Sequence, residues 1–115
     1  MTKTNSFVEY ILHDVMRNVP GIRARAMFGG WGIYQNEVVF GIIADDQLYF
    51  KVDEKNLSDY KTRGSKAFTY EGPKRKLIAM SYWEVPADIL EDTAALTGWI
   101  KKAVQASRRN KKKHG

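Results

Sequence analysis

The stretch from Ile22 to Val52, IRARAMFGGWGIYQNEVVFGIIADDQLYFKV, decides the fold. Arg23, Arg25 and Met27 alternate with Ala24, Ala26 and Phe28, a period of two that belongs to a strand with one face buried. Three glycines within four positions follow, Gly29, Gly30 and Gly32, and then Trp31 to Tyr34 resumes the strand character. Two more apolar runs, Val38–Ile43 and Gln47–Val52, are separated from their neighbours by Gln35-Asn36-Glu37 and by Asp45-Asp46. Links this short join antiparallel neighbours, because a parallel crossover needs a dozen residues or more. Residues 22–52 therefore read as an antiparallel meander of three or four strands.

Working outward, the N-terminal side changes period. Phe7, Val8, Ile11, Leu12, Val15, Met16 and Val19 fall at helical spacing, with Asn5 or Ser6 as N-cap and Pro20-Gly21 as the stop. On the C-terminal side, Asp53 can cap a short helix over Glu54–Thr62 that turns Leu57 and Tyr60 inward and ends at Gly64. A hairpin follows, Lys66–Tyr70 and Leu77–Trp83 about a turn at Glu71-Gly72-Pro73. After Pro86, Asp88 and Glu91 form an Asp-x-x-Glu capping box opening a last helix, whose inner face is Leu96, Trp99, Ile100 and Ala103, with Ala95 beside them. Gly98 within it suggests close packing against another backbone. The order α, β-meander, α, β-hairpin, α predicts an α+β fold: one antiparallel sheet of about five strands with the helices on one face, in two layers.

Charge is unevenly placed. The chain has 115 residues and a net charge of +6, yet all 13 acids precede residue 93, and residues 101–115 hold 7 of the 19 Lys and Arg. The expected division is thus a near-neutral folded body, residues 1–106, and a basic tail, residues 107–115, that does not repay its own ordering. The tail reads first as a solvated, solubilising terminus. Phosphate contacts through Arg108, Arg109, Lys111, Lys112 and Lys113, or loose attachment to an anionic membrane, are the functional alternatives. There is no cysteine, so neither thiolate chemistry nor a disulfide framework applies. No apolar run approaches the ~20 residues of a membrane span, and the expected location is the cytoplasm.

The residues offer little chemistry. The Gly29–Gly32 cluster runs into a strand, whereas a phosphate-binding loop or dinucleotide fingerprint opens a helix, so a tight turn or glycine bulge is the favoured reading. Arg23 and Arg25 share a strand face and suit a phosphate or carboxylate, although a solvated face with local ion pairs is the plainer account. The strand aromatics read as core before they read as base-stacking platforms, since the RNA-recognition signature is absent. With His13 and His114 as the only histidines, no Ser-His-Asp or histidine-metal constellation assembles, and Asp45-Asp46 reads as a turn. No catalytic residue, cofactor or metal is expected.

The motifs Arg25-Ala26-Met27-Phe28-Gly29-Gly30-x-Gly32-x-Tyr34, Phe40-Gly41-Ile42-Ile43, Leu48-Tyr49-Phe50-Lys51-Val52-Asp53, Phe68-x-Tyr70 and Met80-x-Tyr82-x-x-Val85-Pro86, with Trp99 downstream, span nearly the whole chain. Together they resemble the N-terminal domain of the TfoX/Sxy regulators of bacterial competence. The resemblance implies an α-β-β-β-α-β-β-α order and a non-enzymatic module acting in transcriptional regulation through a protein partner, a regulator or the transcription machinery. Longer members add a second, helical domain. The candidate interaction surface is Arg23, Arg25, Phe28, Gly29, Gly30, Gly32, Tyr34 and Lys51. The alternative is direct nucleic-acid binding through the basic tail, and homodimerisation through a sheet edge or the Gly98 face is left open.

Overall fold

A computed structural model describes the backbone of residues 6–27, 30–71 and 77–114, and the side chains of 6–26, 30–69 and 81–110. The expected cap at Asn5, the residues Phe28 and Gly29, and the Gly72-Pro73 turn lie outside the described residues. Helix α1 spans Ser6–Tyr10 and widens into a π-helical turn, Ile11–Val15, closed by Met16 N–H donating to Ile11 O at 2.9 Å. Strands β1 (Ile22–Met27), β2 (Gly30–Gln35), β3 (Val38–Ala44) and β4 (Gln47–Lys51) form the meander, followed by helix α2 (Leu57–Thr62). Strands β5 (Ala67–Glu71) and β6 (Leu77–Glu84), then helices α3 (Ala87–Leu90) and α4 (Thr93–His114), complete the order.

The fold is α+β, with a six-stranded antiparallel sheet in the order β1-β2-β3-β4-β6-β5, one strand more than the sequence suggested. The meander accounts for four of them. Its tight turns follow from residues that tolerate positive φ: Asp45 and Asp46 at 50° and 58° make the two-residue β3–β4 turn, and Asn36 at 57° begins the β2–β3 turn. Among the described residues the meander is irregular between β2 and β3, where Ile33 faces Gly41 and Tyr34 faces Val39, leaving Phe40 as the extra residue. Gly30 has a different task. A Cβ there would collide with the Ile43 carbonyl oxygen, so the bare backbone is what lets β2 and β3 approach.

One side of the sheet carries the core. Ile33, Phe40, Ile43, Leu48 and Phe50 are buried against Leu96, Ile100, Ala103 and Val104 of α4, with Val8, Ile11 and Met16 in the same cluster. Each large side chain so buried contributes roughly 1.5–3 kcal/mol before entropy is counted. Three local readings need correction. The Asp88–Glu91 capping box does not open the long helix, because Asp88 pairs with Arg63 at 2.6 Å and the chain stops at Leu90; it restarts after Asp92, whose carboxylate accepts Ala95 N–H at 3.1 Å. Gly98 does not pack closely against another backbone: among the described residues, its own stretch of helix aside, no atom lies within 4 Å of where its Cβ would stand. The N-terminal part of the expected helix over Glu54–Thr62 is a turn instead, in which Asn56 accepts Asp53 N–H at 2.8 Å and Asp53 accepts Lys55 N–H at 2.9 Å.

Helix α4 continues to His114 because Ala103, Val104 and Ala106 are buried and Arg109 clasps Asp53 with two bonds, Nε to Oδ2 at 2.6 Å and a terminal nitrogen to Oδ1 at 3.0 Å. The ion pair holds the Asp53 carboxyl below the usual aspartate range.

Candidate functional site

Strand alternation sorts the meander into two faces. Since Ile33, Leu48 and Phe50 face the core, Gly32, Tyr34, Tyr49 and Lys51 belong to the opposite face, away from the α4 layer. Cross-strand register adds Arg23 and Arg25 from β1, and Tyr82 and Glu84 from β6. Of the eight interaction residues expected from sequence, Arg23, Arg25, Gly32, Tyr34 and Lys51 thus share one sheet face. Gly30 is a packing residue between β2 and β3, and Phe28 and Gly29 are not described.

Two rows of side chains cross this face. The first runs Arg23–Tyr34–Val39 and resumes as Lys51–Tyr82 where Phe40 bulges. The second runs Arg25–Gly32–Ile42–Tyr49–Glu84. Gly32 puts no side chain between Arg25 and Ile42, and the Arg25 guanidinium lies over the Tyr34 ring at 5.9 Å from its centroid. Tyr49 stacks edge-on against Phe68 at 4.9 Å.

Lys51 is the unusual member. The residue is only 9% exposed, its ammonium donates to Ser81 Oγ at 2.7 Å and sits 5.2 Å from the Tyr82 ring centroid, and no carboxylate pairs with it among the described residues. Burial pushes its pKa below the ordinary lysine value, with Asp53 opposing weakly. Burial likewise raises the Tyr82 phenol, helped by nearby Tyr34, and raises Tyr49, helped by Glu84 and Asp45. Arg25 has no acid partner among the described residues either, whereas Arg23 reaches exposed Glu37 at 3.5 Å.

A second feature lies on the helical side. A groove of about 400 Å³ runs between Val19-Pro20, Gln35 and α4, with Ile100 and Val104 in its wall and Lys101 and Arg108 among its lining residues. Neither cation forms an ion pair among the described residues. Of the basic tail residues, Arg109 is engaged by Asp53 and Arg108 lines this groove, while Lys111, Lys112 and Lys113 lie on the last turns of α4. His13 pairs with Glu9 at 2.9 Å on the exposed side of the N-terminal helix.

The family model of the TfoX N-terminal domain matches residues 14–107, which include the whole sheet and most of α4. The chain belongs to the TfoX N-terminal domain family. This membership agrees with the α+β architecture and suggests a competence-related regulatory module. A search of curated proteins found no match. Among the described residues no cluster of His, Asp or Glu has metal-binding geometry, and no helix is long and apolar enough to cross a membrane.

Sequence reasoning missed three features. The burial of Lys51 without a carboxylate partner among the described residues, the inclusion of Tyr82 in its row, and the α4 groove each depend on contacts between segments far apart in the chain. Alternation of Tyr49 and Lys51 with Leu48 and Phe50 was the one local signal for the first.

Proposed function

We propose that this chain is a regulatory module that works by binding a protein partner in transcriptional control, and not as a catalyst. The observation that supports this most is the α4 groove. Protein interfaces place apolar surface at their centre and leave charge at the rim. Val19, Pro20, Ile100 and Val104 provide the first, and Lys101 and Arg108, which form no ion pair among the described residues, provide the second. The sheet face suits such a partner less well, because cations and phenols occupy its middle. An acidic, partly apolar segment of a regulator is the matching chemistry.

The test is affinity capture with the full chain. A protein partner retained by the native chain and by Lys111→Gln/Lys112→Gln/Lys113→Gln, and lost with Lys101→Glu/Arg108→Glu, supports the reading. A partner indifferent to the rim reversal contradicts it. A second reading, direct nucleic-acid contact through the end of α4, has its own observation: residues 101–115 hold 7 cations and no acid. Under that reading the lysine triple variant abolishes salt-sensitive binding to duplex DNA.

A further inference from the structure

We propose that the helix-free face of the sheet binds single-stranded nucleic acid along the Arg23–Tyr34–Lys51–Tyr82 row, with Tyr34 and Tyr82 stacking bases and with Lys51 and, from the adjacent row, Arg25 meeting phosphates. This binding is distinct from the protein partner at the α4 groove and from contacts made by the helix end. Proteins that hold single strands without reading sequence combine an aromatic platform with a cationic track, since every base has a π face and every nucleotide a charge. Both components occur here in one row.

A nearly buried ammonium ordinarily has a carboxylate beside it, because withdrawing the charge from water is costly without one. Among the described residues Lys51 meets the Ser81 hydroxyl and the Tyr82 ring and forms no ion pair, so its charge is poised for an anion. Arg25 repeats the arrangement over Tyr34. The two half-rows lie on neighbouring strands of one face, Arg23, Tyr34 and Val39 on one side of the Phe40 bulge and Lys51 and Tyr82 on the other.

Dimensions and charge agree. Arg23 on β1 and Tyr82 on β6 are separated by four strand spacings, about 19 Å at ~4.8 Å each, enough for several nucleotides. Glu84 belongs to the neighbouring row opposite Tyr49, and exposed Glu37 meets Arg23 at 3.5 Å at the β1 end; among the described residues neither pairs with Arg25 or Lys51. At the β4 end the Arg109–Asp53 clasp lies two residues beyond Lys51, so the basic end of α4 is anchored beside the same end of the row. A strand leaving the sheet there meets further positive charge. Duplex DNA fits poorly, because its bases are stacked inside and offer no free face to the tyrosines.

The test is fluorescence anisotropy with the full chain and a labelled thymidine oligonucleotide of about eight residues, set against an abasic oligonucleotide of the same length. The expected result is binding of the thymidine strand at least tenfold tighter than the abasic one, a loss of about tenfold or more with Arg25→Gln/Tyr34→Leu, and a smaller loss with Lys111→Gln/Lys112→Gln/Lys113→Gln. Circular dichroism melts of each variant establish that it is folded. Because Arg25 is exposed, Arg25→Gln alone serves as a control if the double variant unfolds, with a loss of about threefold or more expected. Equal affinity for the two oligonucleotides, loss confined to the lysine triple variant, or no binding of the thymidine strand at low salt overturns the proposal.

Discussion

Replacing Lys51 by methionine isolates the cost of keeping a cation on the open sheet face. The residue is 9% exposed, and methionine keeps an unbranched chain of similar length while removing the charge. Withdrawing an ammonium from water costs several kcal/mol. Against this, the Ser81 bond contributes about 1.5–3 kcal/mol and the Tyr82 ring about 0.5–2 kcal/mol. The balance leaves a net penalty of about 1 kcal/mol at neutral pH, which Lys51→Met removes. Denaturant unfolding should therefore show the variant more stable by about 1 kcal/mol, with Tm higher by roughly 4 °C for a chain of this size. The pH dependence has a definite sign. Folding lowers the Lys51 pKa, so the native state binds fewer protons than the unfolded state between its folded value and 10.5, and wild-type stability rises with pH in that window. The advantage of the variant is thus full at pH 7 and shrinks as pH approaches 10.5. A variant destabilised by 1 kcal/mol or more, or an advantage that grows with pH, would refute the reasoning.

Three further outcomes follow from other parts of the fold. Gly98→Ala should stabilise the protein by about 0.5–1 kcal/mol in denaturant titration, since the residue is exposed on α4 and a Cβ there meets no neighbour. Tyr60→Phe should be neutral or stabilising by up to about 1 kcal/mol, because the buried Tyr60 hydroxyl has no hydrogen-bond partner among the described residues while its ring keeps the edge-on contact with Trp99 at 4.5 Å. Arg109→Gln should cost about 1 kcal/mol or less and speed amide exchange after Ala106. Asp53 has a lowered folded pKa, so the stability it provides is present above the unfolded value near 4 and is lost as pH falls through the folded one; Arg109→Gln should flatten that acid limb.

The sheet was legible where a local rule acts alone. The period of two in residues 22–52 and the turn residues Asn36, Asp45 and Asp46 report directly on a half-buried strand and on positive φ. The hairpin from β5 to β6 was legible for the same reason. Helix ends were less so, because Asp88 and Asp92 are equally good local caps and only the distant Arg63, 25 residues away, draws Asp88 out of the contest. The basic segment after Ala106 looks unable to fold by composition, yet a clasp between residues 53 and 109 gives it an anchor. The candidate surface was half visible. Alternation placed Arg23 with Arg25 and Tyr49 with Lys51, but their meeting on one face depends on register, and Tyr82 joins Lys51 from 31 positions along the chain.

The central claim is that the helix-free sheet face is a working surface for single strands. Two-dimensional heteronuclear NMR of the full chain during titration with the thymidine oligonucleotide tests it most directly. The account predicts that the largest amide shifts fall on Arg25, Tyr34, Lys51 and Tyr82, with weaker changes at the end of α4. Shifts confined to residues 108–114 at saturating oligonucleotide would contradict it.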